Sequence, residues 1–176
     1  MASIDTPLLV VGHGPAALVA AKVASGRGLS CLIVGHEPIV DDQPVVLDEE
    51  SLRVLEPNGV LGVLRPYASA RAPFTIAPTL FEQALKHHCV ADMLVTVYDR
   101  MWVDEQQVDE QQVDELRPDG GALSGVLTDG RSRWELRADA FLDVSALPTE
   151  LNGAIREAAR FATALVDGIS ESTATG

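Results

Sequence analysis

Basic residues are scarce in this chain. Thirteen Lys and Arg stand against 26 Asp and Glu, for a formal net charge of −13. A surface this acidic repels phosphate backbones, which excludes a nucleic-acid binder, and it disfavours docking on an anionic membrane. Cysteine is nearly absent. Cys31 and Cys89 are too far apart for a disulfide framework, and no CxxC exists for zinc or redox chemistry. Both sit in apolar surroundings and read as buried free thiols. Long apolar runs are missing too. Near the N-terminus the run Leu8 to Val11 falls far short of a membrane span of about 20 residues, so no membrane insertion is expected. That run follows Asp5 with no basic stretch ahead of it, unlike a secretory signal. A cytoplasmic location is the expectation.

What is present suffices for a packed domain. The 176 residues are 47% hydrophobic and 22% charged, as in ordinary globular proteins. A chain of this length fits one domain and buries roughly 70% of its unfolded surface, which excludes disorder for most of it. One domain is expected over residues 1–169, with a small polar tail from Ser170 that reads as disordered.

The apolar run Leu8–Val11 ends at Gly12 and reads as a buried strand. Leu18 to Ser25, rich in Ala and Leu, predicts a helix that stops at Gly26 and Gly28. Ser30 to Val34 predicts a second strand, ending at Gly35. Strand, glycine turn, helix and strand make a βαβ unit, hence a right-handed crossover and a parallel, doubly wound sheet. Residues 36–47 read as a loop, and acids at 48–50 lead a short helix from Ser51 to Glu56. Thr79 is the expected N-cap of a helix from Leu80 to Cys89, and Met93 to Val97 reads as a strand. Val-Asp-Glu-Gln-Gln occurs twice within Val103 to Glu115. A five-residue period fits neither helix nor strand, so this stretch reads as an exposed loop or hairpin tip, or as an acidic interaction surface. Asp129-Gly130 between Leu123–Thr128 and Trp134–Arg137 is a hairpin signal. Ala140 to Val144 predicts a last strand, and an apolar stripe predicts a helix from Leu151 to Asp167. Trp102 and Trp134 read as packing residues of a small antiparallel meander over about 93–137. The fold class is thus α/β, a parallel doubly wound sheet with that small antiparallel meander.

One motif carries chemistry: Gly12-His13-Gly14-Pro15-Ala16-Ala17. It follows a buried strand and opens an Ala-rich helix, the context that gives a GxGxxA pattern meaning. Gly12 turns the chain off the strand. Gly14 lets a pyrophosphate approach the backbone, and Ala17 lets the helix pack close to the sheet. Pro15 suits the first helical turn. The helix N-terminus then faces phosphates with free N–H groups and the positive end of its dipole. His13 contacts a phosphate or stands exposed. His36 and Glu37, just past the second strand, contact a ribose or belong to a solvated turn. Asp143 faces the cofactor or caps the following turn. His87-His88 complement a helix end. No metal site is expected, and Ser145 lacks the GxSxG context of a hydrolase nucleophile.

Val11 to Leu18 resembles the FAD-binding signature of flavoprotein oxidoreductases, and the Pro after the second Gly points there more than to NAD dehydrogenases. Asp48–Leu64, Leu80–His87, Ala138–Asp143 and Leu147-Pro148-Thr149 are similar, in order, to segments of hydroxybenzoate-hydroxylase-type monooxygenases and FixC-like dehydrogenases. The resemblance implies a Rossmann-like FAD/NAD(P)-binding parallel sheet, FAD as cofactor and a closing helix that faces the flavin. The chain departs from the pattern in four places. Gly35 stands where the family has an acidic residue for the adenosine ribose. Ala77-Pro78 replace an Arg. Val144-Ser145-Ala146 replace glycines, and no substrate domain separates the late strand from the closing helix. Three readings follow: an FAD-type dinucleotide-binding protein acting with a partner that supplies the substrate side, a non-catalytic scaffold or regulatory relative, or an NAD(P)-binding module. The residues name no catalytic base, nucleophile or substrate. A reduced module would leave an apolar face, so a homo-oligomer or a partner protein is expected.

Overall fold

The structure is a computed structural model, and it describes residues 2–12, 14–36, 43–108, 119–120 and 122–174. His13, Glu37 and residues 109–115 of the Val-Asp-Glu-Gln-Gln repeat therefore lie outside the described residues. The elements in chain order are β1 (Ser3–Val11), α1 (Pro15–Gly26), β2 (Cys31–His36), β3 (Val45–Leu47), α2 (Glu49–Leu55), α3 (Val60–Leu64), β4 (Phe74–Ile76), α4 (Pro78–Val90), β5 (Val95–Asp99), β6 (Trp102–Val108), β7 (Asp119–Gly120), β8 (Leu123–Thr128), β9 (Arg133–Asp143) and α5 (Leu151–Ala174).

The main sheet runs β5-β2-β1-β9-β8-β6, with β7 also paired to β9. β5, β2, β1 and β9 are mutually parallel, whereas β8 pairs antiparallel with both β9 and β6. The expected meander is present with shifted membership. Strand β5 belongs to the parallel sheet beside β2, and β6, β8 and the first part of β9 make the antiparallel portion. β3 and β4 form a separate two-stranded ribbon.

The two faces of the sheet are covered differently. Leu8, Val10, Cys31 and Ile33 point into a core shared with α1, α4 and α5. Leu9, Leu32 and Val34, on the alternate face, pack against Leu123, Leu127, Leu136 and Ala138 of the antiparallel strands. The second layer is thus sheet, not the helices that double winding would place there. One strand supplies both layers. On β9, Leu136 and Ala138 belong to the second core, while Ala140 and Leu142, of the same parity, belong to the first. Parity alone would keep them on one face, so β9 turns over between 138 and 140. β1 does the same opposite it, with Ile4 against the second core and Leu8 in the first. The sequence reads as two strands, Trp134–Arg137 and Ala140–Val144, but the interruption is this twist within one continuous strand.

Helix ends differ from expectation in two places. α4 starts at Pro78 with Ala77 as N-cap. Thr79 is inside the helix, because Pro fits the first turn, where no N–H partner is needed. α5 continues to Ala174, well past Asp167. α1 is buried along its length and held at its inner side by an ion pair, Lys22 Nζ to Asp92 Oδ2 at 2.5 Å. Lys22 is only 7% exposed.

Candidate functional site

The β1–α1 turn has the shape its glycines predict, for two different reasons. Gly12 has φ +117°, and its N–H donates to the Val34 carbonyl at 3.0 Å. A Cβ there would stand 2.4 Å from Val144 Cγ2, so Gly12 is excluded from bearing a side chain by the protein's own packing. Gly14 has φ +86° and ψ −175° and caps α1 with no side-chain acceptor. A Cβ there would meet nothing within 4 Å. No side chain therefore caps the start of this 12-residue helix, and Gly14 places none over it. Pro15 begins the helix, and Ala16 and Ala17 are buried behind it.

This turn forms one wall of a cleft of about 660 Å³, within the usual size of cofactor sites. Gly12, Pro15 and Ala16 line one side with Val144 and Ser145 against Gly12, Val45 and Val46 of β3 line another, and the start of α5 closes the far end. The far end is braced by Asn152, whose Oδ1 accepts from Asp48 N–H at 3.1 Å and whose Nδ2 donates to the Val46 carbonyl at 3.0 Å. Arg156 adds an ion pair to Asp48 at 2.5 Å.

The charged group at that end is Glu150. Its carboxylate accepts from the N–H groups of Asn152 at 2.8 Å and Gly153 at 2.6 Å. These two bonds, Gly153 first, hold its carboxyl below the usual carboxylate range. The N-terminus of α5 is thus occupied by its own chain, and no Lys or Arg lines the cleft among the described residues. Neither Glu150 nor Asn152 stands out in the sequence. The available signal was a carboxylate directly ahead of an apolar-striped helix.

At the carboxyl end of β2, the register slips by one residue. Val34 pairs with Tyr98 and His36 with Asp99, leaving Gly35 as a bulge with φ +78°. No carboxylate occupies position 35, as the sequence says. His36 continues the strand by its backbone. Asp143 takes the second of its expected roles: Oδ1 accepts from Ser145 N–H at 2.9 Å and Ser145 Oγ at 2.6 Å, capping the turn after β9. That bond also engages the Ser145 hydroxyl. His88 Nε2 lies 3.3 Å from the Asn58 carbonyl at the end of α4. Cys31 and Cys89 are buried, and burial pushes both thiols up to about 12, which leaves them unreactive at neutral pH. Trp134 is partly buried on β9, but Trp102 is 49% exposed at the start of β6. Among the described residues, no group of three or more His, Cys, Asp or Glu is placed to hold a metal, and no helix is long and apolar enough to cross a membrane.

No protein-family model and no curated protein matches the sequence. Solved structures do match the fold. p-Nitrophenol 4-monooxygenase PnpA from Pseudomonas putida DLL-E4 superposes with a TM-score of 0.63 at 16% identity, over 81% of this chain and 41% of that one. The flavin-dependent monooxygenase PieE, solved with FAD and substrate, gives 0.61 at 17% identity, over 80% of this chain and 30% of its own. A flavoprotein/dehydrogenase from Cytophaga hutchinsonii gives 0.56 at 17% identity, over 81% and 39%. The chain spans less than half the length of each. It has the fold of the FAD-binding portion of flavin-dependent oxidoreductases.

Proposed function

We propose that the chain binds an adenine dinucleotide, FAD in the first place, with its pyrophosphate at the N-terminus of α1. It would act with a partner protein or a second copy that supplies the substrate side, in the cytoplasm. The observation that carries this reading is the start of α1, whose N-cap Gly14 has no Cβ and no side-chain cap and whose Pro15 and Ala16 line the cleft. The residues present fit a dinucleotide there. Gly14 and the α1 N–H groups would hold the phosphates. Val45, Val46 and Leu147 offer apolar walls to a ring, and Asn152 keeps those walls in place. Bound FAD would supply electron transfer, and the protein would supply binding and orientation.

The second reading, a scaffold or regulatory relative without cofactor, rests on Val144. Its methyl lies against Gly12 at the floor of the cleft, where a smaller residue would leave room. The test is the absorbance spectrum of the purified protein, mass spectrometry of anything released on denaturation, and titration with FAD. Flavin bands at about one per chain, or saturable FAD binding lost in Gly14→Ala, support the first reading. A colourless protein that binds neither FAD nor NAD(P) leaves the scaffold reading.

A further inference from the structure

We propose that Glu150 decides which charge the cleft accepts: its far end takes an uncharged ring and rejects an anionic one, so FAD is held more tightly oxidised than two-electron reduced. The inference rests on the dinucleotide reading above and deepens it. With the phosphates at the start of α1, the ring end of the ligand enters between Val45, Val46 and Leu147. There it meets the start of α5, where Glu150 and Asn152 also line the cleft. The oxidised flavin ring is uncharged. Taking up two electrons and one proton makes it an anion at neutral pH, and only a second proton makes it neutral again.

The charge at that end of the cleft is negative. The Asn152 and Gly153 N–H groups donate to the Glu150 carboxylate at 2.8 and 2.6 Å, and the Ala154 N–H donates to the Glu150 carbonyl at 2.8 Å. The start of α5 has thus committed these donors internally, and it offers the ring a carboxylate in place of a positive dipole end. The Gly153 and Asn152 N–H groups also hold that carboxyl low, so it is ionised at neutral pH. The guanidinium that bears on it, Arg156, is taken by Asp48 at 2.5 Å and by Glu50 at 3.7 Å. Three carboxylates thus share one guanidinium, and no Lys or Arg lines the cleft among the described residues. A ring seated against apolar walls displaces water, which lowers the local dielectric and strengthens the repulsion of a like charge.

The experiment is anaerobic titration of the full chain with FAD, first oxidised and then reduced by dithionite. It compares wild type, Glu150→Gln and the control Glu157→Gln, an acid of α5 that does not line the cleft. Wild type should bind oxidised FAD about tenfold more tightly than reduced FAD, the order expected of one like charge. That ratio equals a reduction potential about 30 mV below that of free FAD. Glu150→Gln should bring the ratio to about one, Glu157→Gln should keep it, and raised salt should shrink it. The wild-type ratio decides the matter even where Glu150→Gln fails to fold. Equal affinities in the wild type, tighter binding of reduced FAD, or a ratio that survives Glu150→Gln overturns the inference, and bound FAD then leaves the dinucleotide reading standing. No binding of either form overturns both.

Discussion

Two helix N-termini face one cleft, and they are finished in opposite ways. α1 begins at Gly14, without a side chain and without a cap. α5 begins at Glu150, whose carboxylate closes the N–H groups of Asn152 and Gly153. An exposed N–H array attracts an anion, whereas an array already bonded to a carboxylate presents that carboxylate's charge instead. The cleft therefore has one place for phosphate and, at its other end, a fixed negative charge. A helix end is available to a ligand only where the sequence withholds its own cap.

The sharpest way to break the comparison is at the α1 turn itself. Gly12→Ala forces a Cβ toward Val144 at a φ of +117° and should destabilise the fold by about 3 kcal/mol, as overpacking plus strain does. Urea unfolding measures it. The double variant with Val144→Ala should recover the steric part, so a strictly additive result in the double-mutant cycle would sink the contact argument. Next in size is Asp92→Asn. It strands the buried Lys22 ammonium and should cost about 3 kcal/mol. The Lys22 ammonium first, and then the Leu94 N–H, hold the Asp92 carboxyl at about 2, below its usual 3.8. Its folded pKa is depressed, so its stabilisation is present above 3.8 and lost as pH falls toward about 2. The wild type should lose stability across that window and Asp92→Asn should lose less.

Gly14→Ala tests the open end. No atom opposes the new Cβ, so only backbone strain acts, about 1–3 kcal/mol. Melting temperature should fall less than in Gly12→Ala, while FAD affinity falls to baseline. Equal affinity in Gly14→Ala would remove the phosphate seat from α1. The smallest effect is expected of Glu150→Ala, about 1 kcal/mol for a lost helix cap, with tighter binding of anionic ligands as the α5 N–H groups come free. The Glu150 carboxyl is held low by those N–H groups. Its contribution is therefore full at neutral pH and fades only as pH drops through the folded value.

The legible parts of this molecule were those decided by local rules. The Leu8–Val11 strand, the glycine turn, the Ala-rich helix and the Asp129-Gly130 hairpin each follow from neighbouring residues, and each is where the sequence places it. What the sequence hides depends on distant chain. The need for Gly at position 12 comes partly from Val144, and Asp99 reaches the β2 end only through strand pairing. Asn152 matters because β3 lies beside it. Membership of β5 in the parallel sheet likewise needs the partner strand, since an apolar run reads alike in either setting.

The turnover of β9 between Ala138 and Ala140 has a mechanical consequence. One unbroken strand is a beam embedded in both cores, with its first half under Leu123 and Leu127 and its second half ending at Asp143, beside the floor of the cleft. Neither core can loosen without releasing its share of that beam, so the two should melt as one cooperative unit. A push on the β8–β9 hairpin would then be felt at Val144, at the opposite end of the strand.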